Sequence, residues 1–374
     1  MAVSAAAQAE DHMQRVKKRK RFDLLNYLPF LIGAIVILLV IVLLTVVFGR
    51  SEKSIKLSDF KLLPIHAESN FTVFAGGIAY IDDTENCIYY LDDRGEVMWG
   101  FSGTVDGMAL YAGETKLGVC VGKKLQVINQ EGILEFSREF ENSIAAVAMG
   151  EKLIAVSLSS SDDTIILNST GEEIDRITSN SNCTNIRFGV YGAGNSVWVI
   201  AVENSGYYPK YQLSTYKYDT EKKQTVTFEV DNQMIYNAVF DENLCYIFGT
   251  EKIMVRDCDY TGSVNLDYTV NGFDVIACGK MKKDVHMLLM SDGRLKAMGG
   301  GKVMNIECEE KLNYAVVSQK NYYGFSSYFM YRFKPSSGKT VKYRLPLKVE
   351  RLIQGSGYVI VESDGAMYRY NIPD

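Results

Sequence analysis

Short apolar segments recur along the chain from residue 51 onward, and most are followed by a polar turn. Apolar residues at every second position, or in runs of four to eight, are typical of β-strands. The turns use Asp, Asn, Ser and Gly, because Asx side chains bond to the backbone ahead and glycine adopts positive φ without steric cost. The clearest strand-and-turn segments are residues 88–99, 125–136, 164–177, 214–228, 253–266, 288–298, 330–345 and 360–370. The pattern predicts an all-β domain.

The strand that opens each unit gives an independent count of the repeat. Candidate starts lie near Phe71, Gly107, Ile144, Thr184, Met234, Gly272, Lys311 and Val349. Successive starts are 36 to 40 residues apart, except for one interval of 50 residues that contains the segment NSGYYPKYQ (204–212). A period near 40 residues with four strands per unit predicts a β-propeller of about eight four-stranded blades, with seven as the alternative.

The last unit runs out after its third strand, MYRYNI (367–372), whereas an apolar segment, IKLSDFKLLPI (55–65), precedes the first unit. We expect this segment to supply the missing outer strand, because closing the ring removes exposed sheet edges. Residues 50–70 would then form a tether and the ring-closing strand. The propeller itself would occupy residues 71–374.

One apolar run is much longer than a strand, since no charged residue lies between Asp23 and Arg50. About 20 apolar residues with a rise of 1.5 Å each span the roughly 30 Å hydrocarbon core of a bilayer. A cleaved signal peptide would have a shorter apolar region, about 7 to 15 residues, and a small-residue cleavage site. The run has no good site of that kind. The sequence therefore predicts a transmembrane α-helix over residues 27–49 that acts as an uncleaved signal anchor and places the protein in a lipid bilayer.

Charge is divided unevenly around this run. Residues 1–26 carry a net charge of +3 and the remainder −8, which together give the total of −5. The basic residues of the tail are Arg15, Lys17, Lys18, Arg19, Lys20 and Arg21. Lys and Arg favour the cytoplasmic side of a membrane, so these side chains are expected topology determinants. The predicted layout is a single-pass protein of the cell membrane, with residues 1–26 cytoplasmic, the propeller extracytoplasmic and no nucleic-acid partner.

The composition is close to a globular average, with 47% apolar and 23% charged residues. It excludes a largely disordered chain, a coiled coil, a collagen and a polytopic membrane protein. The 31 glycines and 24 tyrosines, with only 6 prolines, suit many short strands joined by tight turns.

The segment GIAYIDDTENCIYYLDDRGEVMWGF (77–101) combines a strand, a hairpin, a Tyr-x-Leu-Asp strand, a glycine turn and a strand containing Trp99. It resembles the repeat of PQQ-like, quinoprotein-type propellers. With the apolar N-terminal segment, the chain is similar to an uncharacterised family of single-pass membrane proteins of Gram-positive bacteria, which implies the layout and no activity. Quinoproteins stack their cofactor on a tryptophan, but Trp99 occupies the blade-packing position and Trp198 is the only other one. No cofactor is expected.

Histidines and cysteines offer little catalytic chemistry. The three histidines, His12, His66 and His286, are too few for a histidine-rich zinc site, and neither His66 nor His286 accompanies a Gly-x-Ser-x-Gly motif. The seven cysteines form no CxxC pair, and several lie in apolar strand patterns. We expect mostly free, buried thiols, with a Cys245–Cys258 disulfide as the alternative.

Two aromatic stretches, residues 206–218 and 321–333, are the candidate partner-binding segments. Tyrosine combines apolar area with a hydroxyl group and is common at binding surfaces, although the same residues would also pack well between blades. The candidate residues are Tyr207, Tyr208, Tyr211, Tyr322, Tyr323 and Tyr328. The expected function is a non-enzymatic binding or scaffold module for a protein or cell-wall component. The alternative is an extracytoplasmic enzyme that acts on glycan or peptide through carboxylates clustered in the propeller channel.

Overall fold

The structure is a computed structural model. It describes Gly33, Ile35, Ile37 and Leu38 and residues 53–373, with gaps at 104–106, 180–181, 193, 205–206, 219–222, 231, 242, 259–263, 283–284, 319–320 and 335–339. The chain divides into two compact units, Met1–Lys53 and Ser54–Asp374.

The four described residues ahead of residue 53 are helical. The rest of the predicted membrane segment, residues 27–49, lies outside the described residues, as do the six predicted topology determinants. Among the residues that the structure describes, no helix is long and apolar enough to cross a membrane.

Eight antiparallel sheets make up the described part of the second unit. The chain enters through β1 (Lys53–Ser54) and β2 (Phe60–His66). The first three sheets consist of β3 (Phe71–Phe74), β4 (Gly77–Asp82), β5 (Cys87–Leu91) and β6 (Val97–Ser102); β7 (Met108–Ala112), β8 (Lys116–Val121), β9 (Lys124–Asn129) and β10 (Leu134–Glu139); and β11 (Ile144–Met149), β12 (Leu153–Leu158), β13 (Ser161–Asn168) and β14 (Glu173–Ile177). The next three consist of β15 (Cys183–Tyr191), β16 (Ser196–Glu203), β17 (Lys210–Tyr218) and β18 (Lys223–Val230); β19 (Ile235–Asp241), β20 (Leu244–Gly249), β21 (Ile253–Asp257) and β22 (Asn265–Tyr268); and β23 (Val275–Lys282), β24 (Val285–Met290), β25 (Leu295–Gly299) and β26 (Lys302–Ile306). Each pairs its four strands in chain order.

The last two sheets each include a strand from the start of the described range. The seventh contains β27 (Tyr314–Val317), β28 (Tyr322–Phe325), β29 (Phe329–Phe333) and β30 (Thr340–Arg344), with β1 beside β30. The eighth contains β31 (Arg351–Gln354), β32 (Tyr358–Ser363) and β33 (Ala366–Asn371), and β2 pairs with β33 as its outer strand. Two short 3-10 helices, Leu57–Asp59 and Gly272–Asp274, complete the described elements.

The eight sheets are the blades of a closed β-propeller, because a separate apolar cluster joins every neighbouring pair. Seven clusters join blades that are consecutive in the chain. The remaining cluster joins the eighth blade to the first and contains Leu63, Ile65, Ile78, Leu91 and Ile360. First strands of successive blades contact one another, for example β7 with β11 and β11 with β15, so they line the centre. The prediction of an all-β propeller with eight blades is confirmed.

The same turn closes the third strand of the first three blades. Asp92 Oδ1 accepts hydrogen bonds from the backbone N–H groups of Arg94 and Glu96, at 2.8 Å each. Asn129 and Asn168 make the corresponding pairs of bonds two and four residues ahead. These are Asx turns, and they explain why the sequence places Asp or Asn at the end of each of these strands.

A glycine follows each of these Asx residues in the turn, and this glycine has a positive φ. Because it has no side chain, it also leaves room for the preceding blade. A Cβ atom on Gly132 would lie 2.7 Å from the indole ring of Trp99, which belongs to the fourth strand of the first blade. A Cβ on Gly171 would lie 2.4 Å from Phe136, on the fourth strand of the second blade. The first and second blades therefore each place an aromatic side chain of the outer strand on the glycine turn of the next blade.

Strand β2 repeats this contact where the ring closes. A Cβ on Gly95, in the corresponding turn of the first blade, would approach Leu63 Cδ2 of β2 to 3.3 Å. Leu63 and Ile65 are buried, while Leu62 on the opposite face of the strand is exposed. Leu63 thus occupies the position that Trp99 and Phe136 occupy between later blades, and β2 is the fourth strand of the eighth blade.

All seven cysteines are free thiols, as the sequence predicted, including Cys245 and Cys258. Cys87, Cys120, Cys245 and Cys258 are buried, and the others are half-buried. Burial raises the pKa of the Cys120 thiol to about 12. Burial, and then the neighbouring Cys258 thiol, also raise the pKa of Cys245 well above its usual value.

Candidate partner-binding face

Because the strands of each blade are antiparallel, the loops between second and third strands lie at the same end of the ring as the connections from one blade to the next. We call this end the upper face. Loops on a rigid scaffold commonly carry function. Tyr207, Tyr208 and Tyr328 all lie in second-to-third-strand loops and therefore at the upper face.

Tyr207 and Tyr208 belong to the loop between β16 and β17. The four strands of this blade have 8 or 9 residues, against 4 to 6 in the first blade. The side chain of Tyr207 is completely exposed and that of Tyr208 is 80% exposed. Two adjacent exposed aromatic side chains make this loop a candidate for contact with another molecule, because aromatic residues are enriched at binding surfaces.

A groove with a volume of about 360 Å³ lies beside this loop, between the fourth and fifth blades. Tyr208, Pro209, Tyr211 and Met234 give it an apolar lining, and Asn232, Gln233 and Thr250 add polar groups. Tyr211 is buried against the apolar cluster between these blades, so it forms a fixed wall of the groove.

The polar side of the groove is held by hydrogen bonds. Gln233 Oε1 accepts from the backbone N–H groups of Glu251 and Lys252 at 3.1 and 3.2 Å. The Thr250 backbone N–H donates to Met234 O at 3.0 Å, and the Met234 N–H donates to Thr250 Oγ1 at 3.3 Å. These bonds fix the groove before any ligand is bound, which lowers the entropy cost of binding.

The second aromatic stretch is mostly core. Tyr322 and Tyr323 are completely buried, because β28 lies inside its blade with an apolar cluster on each side. Burial raises the pKa of both phenols, and the Tyr323 hydroxyl donates to Pro373 O. Their placement on a partner surface is therefore corrected: both are packing residues. Tyr328, in the adjoining loop, is 53% exposed but lies three blades away from Tyr207 and Tyr208.

The described strands that line the central channel carry few acidic side chains. Along the described first strands of the eight blades, Asp241 at the end of β19 is the one carboxylate residue. Asp241 Oδ1 accepts a hydrogen bond from Lys280 Nζ at 2.9 Å, and its Oδ2 lies 3.6 Å from His286 Nε2. His286 is buried, with its ring 4.2 Å from that of Tyr246. In the described part of the chain, His, Cys, Asp and Glu side chains form no group of three that could hold a metal ion.

The two tryptophans are engaged in packing. The Trp99 ring stacks on Tyr90, with centroids 5.2 Å apart, and its Nε1 donates to Gln130 O at 2.9 Å. Trp198 is buried in the cluster between the fourth and fifth blades. Neither ring is available as a platform for a stacked quinone.

Several solved structures share the fold. A structure of Sqt1 from Saccharomyces cerevisiae superposes with a TM-score of 0.58 at 10% identity, covering 84% of this chain and 98% of that one. BamB from Moraxella catarrhalis gives a TM-score of 0.53 at 12% identity, covering 84% and 100%. Apo AztD from Citrobacter koseri gives 0.52 at 9% identity, covering 75% and 87%. At these identities the likeness establishes the propeller architecture.

No protein-family model matches the sequence. No curated protein matches it either.

Proposed function

We propose that this protein is a non-enzymatic binding module that holds a protein or cell-wall component at the upper face of its propeller. The observation that carries the proposal is the exposed pair Tyr207 and Tyr208 beside a groove whose walls are fixed. At binding surfaces, a few aromatic side chains contribute most of the affinity. A groove that is already formed in the free protein lowers the entropy cost of binding beside them.

The described first strands lack the carboxylate pair on which the alternative, an enzyme acting through channel carboxylates, would depend. An enzyme that used carboxylates would require at least two acidic groups near one another, with environments that separate their pKa values. The described first strands offer Asp241 alone, and this residue bonds to Lys280.

We further propose that residues 27–49 anchor the propeller to the cell membrane, with the ring extracytoplasmic and residues 1–26 cytoplasmic. The exposed apolar side chains of the helical residues Ile35, Ile37 and Leu38 support this proposal, since such residues are stable in contact with lipid. The basic cluster from Arg15 to Arg21 supports the orientation.

The PQQ-like repeat remains our proposal for the ancestry of the blades. Its support is the recurrence of the Asx residue and the glycine turn in the first three blades, and of the aromatic outer-strand residue in the first two.

Cross-linking in intact cells tests the binding function. The full chain is cross-linked with formaldehyde, purified and analysed by mass spectrometry for attached proteins and wall fragments. The double variant Tyr207→Ser/Tyr208→Ser should lose the attached species at least tenfold while its melting temperature stays unchanged, because the removed side chains are exposed.

A matched control replaces two exposed apolar residues away from the groove, as Met98→Ser/Leu134→Ser on the outer strands β6 and β10. This variant should keep the attached species. Equal recovery from the wild type and the tyrosine variant would refute the proposal, and so would equal loss from the tyrosine and control variants.

A further inference from the structure

The groove between the fourth and fifth blades, which we call the Tyr208 groove, has an uncharged lining. Its described residues are Tyr208, Pro209, Tyr211, Asn232, Gln233, Met234 and Thr250. A charged ligand group would lose hydration on entering this groove and would meet no opposite charge in the described lining. The lining therefore suits a ligand segment without charged side chains.

The protein itself uses two acceptor oxygens of this lining. Gln233 Oε1 accepts from two backbone N–H groups, those of Glu251 and Lys252. Thr250 Oγ1 accepts from the backbone N–H of Met234. Two bonds occupy both lone pairs of the Gln233 carbonyl oxygen, so this oxygen is not available to a ligand.

Two donors of the lining remain accessible. Tyr208 is 80% exposed, and Asn232 is exposed as well. Neither the Tyr208 hydroxyl nor the Asn232 carboxamide forms a hydrogen bond to another described residue. The groove thus offers hydrogen-bond donors beside an exposed apolar surface formed by Tyr208, Pro209 and Met234.

A proline-rich segment has the complementary chemistry. Proline has no N–H group, so a run of prolines presents carbonyl acceptors without backbone donors. The polyproline II conformation has no internal hydrogen bonds, and its carbonyl groups are therefore open to donors from a groove. Proline rings are apolar and uncharged, and segments of this kind bind to grooves lined by aromatic side chains.

A saccharide is a poorer match to this lining. Its hydroxyl groups both donate and accept, so it requires acceptors as well as donors. The engaged oxygens of Gln233 and Thr250 reduce the supply of acceptors. The mostly apolar lining also gives the other hydroxyl groups of a sugar no replacement for their water.

We propose that the Tyr208 groove binds an uncharged, proline-rich segment of a partner protein in the polyproline II conformation. Proline rings pack on Tyr208, Pro209 and Met234, while the Tyr208 hydroxyl and Asn232 Nδ2 donate to carbonyl groups of the segment. Both sides are formed before they meet, which lowers the entropy cost of binding. This assignment rests on the proposed partner-binding function and names the chemistry of the partner.

Fluorescence anisotropy with the full chain in detergent tests the assignment. The probe is a fluorescein-labelled peptide of nine prolines, which forms about three turns of polyproline II. The comparison probe is a labelled (Gly-Ser)4-Gly peptide, which has the same length and is uncharged but flexible. Nonaproline should bind at least about tenfold more tightly, because it is apolar and its conformation is already fixed.

Two variants test the named side chains. Tyr208→Ser removes a ring and should weaken nonaproline binding by at least about tenfold. Asn232→Asp keeps the shape of the side chain, and aspartate tolerates the φ of 60° at this position. It replaces a donor with a negatively charged acceptor that repels carbonyl oxygens, so it should also weaken binding about tenfold. The melting temperature of both variants should stay unchanged, because both side chains are exposed.

Tyr328→Ser is the matched control. Tyr328 is also exposed and lies in a second-to-third-strand loop, but it belongs to the seventh blade and not to the lining of the groove. This variant should bind nonaproline as the wild type does.

Three results would overturn the assignment. They are equal affinity of the wild type for the two peptides, equal affinity of the wild type and Asn232→Asp for nonaproline, and displacement of nonaproline by N,N′-diacetylchitobiose at lower concentrations than by unlabelled nonaproline. The last result would assign the groove to a saccharide.

The cross-linking experiment in cells separates these outcomes from the fate of the binding function. Loss of attached species from Tyr207→Ser/Tyr208→Ser, together with no binding of nonaproline, would retain the binding function and reject a proline-rich partner. Attached species that persist in that variant would refute the binding function itself.

Discussion

The chain has one pair of adjacent tyrosines that is exposed and another that is buried. The location of each pair, in a loop or in a strand, decides its exposure. Tyr207 and Tyr208 lie in a loop at the upper face, whereas Tyr322 and Tyr323 lie in a second strand. A second strand has a neighbouring strand on each side and a neighbouring blade against each face, so consecutive side chains are buried on opposite faces. The run NYYGF shows no alternation, and its burial could not be deduced from the aromatic content alone.

The thiols give a prediction at the same scale. All seven are free, and burial raises the pKa of Cys278 to about 12 and that of Cys308 to about 11. The thiolate is the reactive species, so the native protein at pH 8 should react slowly with iodoacetamide at these positions. Non-reducing guanidinium should then expose seven alkylatable thiols, counted by intact-mass spectrometry. A count of five would show that one disulfide had formed, and Cys245–Cys258 would be the first pair to examine.

At the scale of elements, the strand starts could be predicted closely. The expected openings of the eight units fall within three residues of the observed first strands, from Phe71 for β3 to Arg351 for β31. The apolar segments that open the units made this possible, because most of them recur every 36 to 40 residues. The longer strands of the fourth blade could not be predicted, since the insert 204–212 reads equally well as a loop and as an extension of β16 and β17.

Strand β2 gives a prediction at this scale, because Leu63 and Leu62 are adjacent but point in opposite directions. Leu63 is 4% exposed in the cluster that joins the eighth blade to the first, and Leu62 is 61% exposed. Leu63→Ala should lower the free energy of unfolding by about 2–5 kcal/mol, because it leaves a cavity at the closure of the ring. Urea unfolding followed by tryptophan fluorescence measures this change.

Leu62→Ala is the control from the same strand, and it should change the free energy of unfolding by no more than about 0.5 kcal/mol. Equal effects of the two substitutions would show that β2 does not close the ring in solution.

At the scale of the whole molecule, the apolar residues of the sequence fall into two groups. Those of the propeller that the structure describes are divided among eight clusters, each between two blades. The other group is the apolar run from Leu24 to Gly49 in the sequence, whose length suits a bilayer. The charge follows the same division, with +3 before the run and −8 for the rest of the chain.

The proposed partner binding requires that the ring lies outside the membrane. Digestion of intact cells with an external protease measures on which side of the membrane the ring lies. One epitope tag is placed before Met1 and another after Asp374, and intact cells are treated with proteinase K. If the ring is extracytoplasmic, the C-terminal tag is lost while the N-terminal tag survives until the cells are lysed. Protection of the C-terminal tag in intact cells, followed by its loss on lysis, would show that the ring lies inside the cell.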